Sequence, residues 1–94
     1  MPKYMKLPVT IEAEKVNDLL YGFQHNFKLL PQWVIDAYNN LVINTITNDY
    51  FNVRTLEGTV MATREDYLVK GIDGELYPCK IDIFEKTYKR VGEH

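Results

Sequence analysis

The residues best placed to do chemistry cluster near one glycine-containing turn. Tyr67, Lys70, Tyr77 and Lys80 flank Asp73-Gly74. Aromatic rings stack on nucleobases, and ammonium groups pair with phosphate or with acidic surfaces, so these four residues form a candidate binding site. The same residues would also serve a solvated hairpin whose aromatic cross-strand pairs only stabilise it. Other chemistries have fewer resources. Cys79 and His25 are the one conceivable Cys–His pair, and a lone cysteine on a strand usually behaves as a small hydrophobe. The chain has no serine, which removes the hydroxyl nucleophile of the Ser-His-Asp type. His25 and His94 are the only histidines, no CxxC is present, and neither a zinc quartet nor an EF-hand loop can be drawn. No GxGxxG or P-loop spacing appears, and Glu57, Glu65, Asp66 and Glu75 read as turn and strand carboxylates. No metal, cofactor or catalytic residue is therefore expected, with Cys79 as the sole fallback nucleophile.

Several elements must position those residues. Leu7, Val9, Ile11 and Ala13 alternate with polar neighbours, which predicts an edge strand tolerant of Pro8. Val16, Leu19, Leu20 and Phe23 fall at helical spacing, and Gly22 shortens the expected helix. Pro31 opens the main helix, whose predicted inner face is Val34, Ala37, Tyr38 and Leu41, with a stop at Asn39-Asn40. Trp33, near the start of that helix, suits either the core or an anchor for a partner.

Strands are predicted over 42–47, 50–55, 59–63, 67–72 and 75–77, with turns at Asn48-Asp49, Glu57-Gly58 and Asp73-Gly74. A two-residue type I′ turn at Asp73-Gly74 would set Lys70 beside Tyr77. Asp82 and Glu85 have capping-box spacing for one helical turn, and 88–91 is the expected last strand. Together these elements predict an α+β fold, a single domain over 1–94, with a small antiparallel, strongly curled sheet or open barrel and one main helix packed on it.

Composition narrows the function class. The net charge is −2, which gives no drive toward nucleic acid or anionic membrane, and Lys86, Lys89 and Arg90 read as a solvated cluster. No apolar run approaches a membrane span, no signal peptide is evident, and one cysteine allows no intrachain disulfide, so cytoplasm is the expected compartment. A small strand-rich chain exposes sheet edges, which predicts a homodimer.

Segment 64–88, REDYLVKGIDGELYPCKIDIFEKTY, resembles a sequence found in small uncharacterised phage and prophage proteins. Their Asp-Tyr start, Val-Lys-Gly stretch, Gly-Glu-x-Tyr-Pro-Cys-Lys hairpin and Asp-Ile-Phe-Glu-x-Thr-Tyr ending are matched by Asp66-Tyr67, Val69-Lys70-Gly71, Gly74 to Lys80 and Asp82 to Tyr88. The opening Tyr4 to Ala13 is similar to the opening of the same family. Arg64-Glu65 replaces the family's Pro-Gly, which removes the sequence reason for a tight turn there, and Ile81 replaces a proline. The resemblance implies a bacteriophage accessory protein acting in the host cytoplasm by stoichiometric binding, as a counter-defence inhibitor of a host immune protein. The alternatives are a sponge for a small nucleotide signal and, third, a small enzyme using Cys79.

Overall fold

Alternation and turn chemistry build most of the sheet structure locally. In the computed structural model, which describes residues 1–92, the elements run β1 (Glu12–Lys15), α1 (Val16–His25), a 3-10 turn (Phe27–Leu29), α2 (Gln32–Asn39), β2 (Ile43–Asn44), β3 (Tyr50–Thr55), β4 (Gly58–Thr63), β5 (Asp66–Lys70), β6 (Leu76–Lys80) and α3 (Ile81–Thr87). His94 lies outside the described residues.

The fold is α+β, and two of its expected details are corrected. The strands form two separate three-stranded antiparallel sheets, ordered β1-β5-β6 and β2-β3-β4, and neither is strongly curled nor closed into a barrel. The break falls at Arg64-Glu65. The Thr63 N–H donates to Asp66 Oδ2 at 2.8 Å, and the Glu65 N–H to Thr63 Oγ1 at 3.2 Å. These side-chain acceptors close a tight turn without Pro-Gly and carry the chain from one sheet to the other. Arg64 fastens this corner by donating to Asn17 Oδ1 and to the Asn48 carbonyl.

The second correction concerns the helices. Two of them cover the core, and α1 contributes more of it, burying Val16, Leu19 and Leu20, whereas α2 buries Val34 and Ala37. Gly22 does not end α1; a Cβ at that position would lie 2.6 Å from Leu30 Cδ2, so glycine lets Leu30 seat on the helix. Pro31 opens α2 from the N-cap position, one residue before the first-turn place expected for it, while Leu41 is 65% exposed and Tyr38 packs on Phe23 and Phe27 at the edge of the core. The core joins both helices to Ile43, Phe51, Val53 and Ala62 of one sheet and Leu68 and Leu76 of the other.

The chain ends also differ from expectation. Residues 1–11 are not in a strand, because β5 stops at Lys70 and offers Glu12 its last partner; Leu7 is 79% exposed. Residues 88–91 form no strand, and α3 is seven residues long; Lys80 holds its N-cap position without a side-chain cap bond, and Asp82 lies in its first turn. β2 keeps two of the six residues predicted for it. No described helix is long and apolar enough to cross a membrane.

Candidate functional site: the groove between the two sheets

The β5–β6 register decides where the four candidate binding residues go. The hairpin pairs Lys70 with Leu76 and Val69 with Tyr77, one residue away from the pairing a two-residue loop would give. Gly71 donates to the Glu75 carbonyl at 2.8 Å, and Gly74 donates to the Gly71 carbonyl at 3.0 Å. The loop is therefore three residues, Ile72-Asp73-Gly74, with Gly74 at φ +85°. This is the turn-plus-bulge solution, and the Asp73 N–H is held by Glu75 Oε1 at 3.1 Å.

A one-residue shift moves side chains to opposite faces of a sheet. Tyr67 and Tyr77 stand on the outer face with Val69 and Cys79, under α3. Phe84 stacks on Tyr67 at 3.9 Å between ring centroids, and Tyr88 lies 4.8 Å from Phe84. Burial and a hydrogen bond with Tyr88 push the Tyr77 phenol up to about 12. Lys70 and Lys80 belong to the other face, at opposite ends of the hairpin. Lys70 Nζ meets Glu12 at 3.7 Å, and Lys80 Nζ meets Glu65 at 3.8 Å and Asp66 at 3.9 Å. The structure brings the two tyrosines onto one face and separates them from both lysines, so the expected Lys70–Tyr77 pair does not form.

The other candidates have ordinary settings. Cys79 is half-buried opposite Tyr67, and its thiol is pushed up first by burial and then by the carboxylates of Asp66 and Asp82, the reverse of thiolate activation. His25 packs on Tyr21 at 4.6 Å, at the end of α1. Asp66, 5% exposed, spends its carboxylate on the Thr63 turn. Among the described residues no group of three or more His, Cys, Asp or Glu side chains could hold a metal ion.

Concave, mostly apolar surface lies elsewhere. A groove of about 480 Å³ opens at one end of the space between the sheets, where α2, the β3–β4 turn and the β5–β6 turn converge. Trp33, Ala37, Val42, Leu56 and Leu76 supply its apolar lining, and Lys70 is the one residue of the expected site that borders it. Trp33 packs against the core and also lines the groove. Asp36, held by Gln32 Nε2 at 2.8 Å, is among the polar lining. Leu56, at the tip of the β3–β4 turn, is 94% exposed. Apart from Trp33 and Lys70 these residues were not legible as a site, because they come from three segments distant in sequence and none is reactive.

A second, more polar cleft of about 800 Å³ runs between residues 9–15 and the α3 end of the chain, lined by Tyr67, Phe84, Tyr88 and Arg90. Glu14 lies at its edge, where burial and Asp18 raise its carboxyl above the usual glutamate value and Arg90 partly offsets them. Comparison of the chain with models of known families, with curated proteins and with solved structures returns no match.

Proposed function

We propose that the protein acts by stoichiometric binding and not by catalysis, docking an apolar segment of a host protein in the groove between the sheets. One observation carries this reading: a concave apolar surface of ligand-pocket size is built around the single tryptophan and is flanked by a fully solvated leucine. Tryptophan is enriched at the energetic centres of interfaces, where a partner side chain fills a desolvated pocket. The ion pair Lys70–Glu12 and the Gln32–Asp36 pair would form part of a polar rim. The resemblance of 64–88 to phage and prophage proteins favours a bacterial partner, and an inhibitor of host immunity is the role consistent with that company. A nucleotide-like ligand is the competing occupant.

Parallel affinity capture from bacterial lysate with the parent, Trp33→Ala and Leu56→Asp tests the proposal. The parent should retain one protein at one-to-one stoichiometry, and both variants should bind it at least about tenfold more weakly. Equal retention by all three, or recovery of a nucleotide in place of a protein, overturns it.

A further inference from the structure

Residues 4–11 carry a strand pattern with no strand to pair with. Leu7, Val9 and Ile11 continue the alternation of β1, and β1 itself pairs on one side only. The antiparallel partner β5 ends opposite Glu12, and the chain then turns away at Gly71. No backbone hydrogen bond outside the helices and strands involves residues 1–11 among the described residues. Leu7 and Val9 are left 79% and 44% exposed.

We propose that this arm is a homodimerisation strand, and that two copies pair their arms antiparallel about a two-fold axis at Val9. The sequence selects that register. With Val9 opposite its own copy, Leu7 faces Ile11 and Lys6 faces Glu12 in both halves of the interface. Apolar side chains then meet on one face and opposite charges on the other, and each contact occurs twice. Pro8 falls opposite Thr10. When Val9 occupies a hydrogen-bonded pair, the next pair is not hydrogen-bonded, so the missing proline N–H costs no ladder bond.

Neighbouring registers are poorer. Centring on Pro8 sets Lys6 against Thr10 and leaves both charges unanswered. Centring on Thr10 sets Lys6 against Glu14, whose carboxyl is half-buried and already beside Asp18 and Arg90. Glu12 has room for a second cation, because its side chain is 63% exposed while one oxygen faces Lys70. The partner is therefore a second copy of this chain; Glu12 of the arm also reaches the rim of the Trp33 groove through Lys70.

Sedimentation equilibrium on the full chain, at tens of micromolar, reads the outcome. The parent should sediment at twice the chain mass. Lys6→Glu should weaken the dimer by about tenfold, and Lys6→Arg should keep the parent constant to within about threefold. Val9→Asp, a substitution on exposed chain that brings like charges together at the axis, should give a monomer with an unchanged circular dichroism spectrum. A monomeric parent, a Lys6→Glu variant that dimerises as the parent does, or a Lys6→Arg variant as weak as Lys6→Glu overturns the proposal.

Discussion

The β5–β6 hairpin is buried on both faces, by different means. Its inner face sets Leu68 and Leu76 against Leu20, Val34 and Phe51, residues that reach it from α1, α2 and β3. Its outer face holds Val69, fully buried yet outside that core, among Tyr67, Tyr77 and the rings of Phe84 on α3 and Tyr88 just after it. Besides Ala13 and Lys15 of β1, these outer-layer residues lie between 67 and 88. The inner layer is thus assembled from long-range contacts of Phe51 and aliphatic side chains, and the outer layer is a mainly local aromatic stack. Local clusters of exposed elements open at lower free energy than the global core. The outer layer should therefore open as a unit while the inner layer and the groove built on it stay closed.

Breaking the inner layer should have the largest effect. Phe51→Ala removes the largest fully buried side chain and should cost about 3–5 kcal/mol, seen as one cooperative loss in urea titration. Asp66→Ala should cost about 1–3 kcal/mol, because the Thr63 N–H loses its acceptor at the corner between the sheets. Gly74→Val should cost about 1–3 kcal/mol, since a β-branched residue would have to hold φ +85°. Phe84→Ala should cost about 1–2 kcal/mol from the half-buried stack, and it separates the layers. Hydrogen exchange should then quicken at β6 and α3 while β3 amides stay protected. Uniform acceleration would show that the two layers are one cooperative unit.

The smallest effect should come from Glu14→Gln. The folded state raises this carboxyl above the ordinary value of 4.5, so it holds its proton more tightly than the unfolded chain does. The ionisation penalty is absent where both states are protonated, below about pH 4, and grows as pH rises through the folded value. Glu14→Gln should therefore melt slightly higher than the parent at pH 7 and equally at pH 3.

Which parts of this were legible in the sequence follows from how far each determinant reaches. β3 appears over 50–55 as its alternation predicts, and β4 differs only by including Gly58, because a strand flanked by two-residue turns is specified locally. The Asp73-Gly74 turn was legible as a turn with positive φ at Gly74, but its loop length was not. That length is tied to Glu75, which closes the ladder on Gly71 and caps the Asp73 N–H, and Asp-Gly fits either loop. The single-residue slip was enough to move Lys70 and Tyr77 to opposite faces. Leu7 to Ile11 reads as a strand because its pattern is right; it is unpaired because β5 is short, a fact about another segment. The groove was visible only at Trp33 and Lys70, since Val42, Leu56 and Leu76 meet there through tertiary packing.

The claim that the inner layer's open end is the docking surface meets its most direct test in site-specific photocrosslinking. A photoreactive side chain is placed at Leu56, beside the groove, or at Ile83, an exposed apolar position on α3. Irradiation in bacterial lysate should join one host protein to the Leu56 position at one-to-one stoichiometry, with no such product from Ile83, and Trp33→Ala should abolish it. Crosslinking of that protein from Ile83 alone, or equally from both positions, would contradict the account.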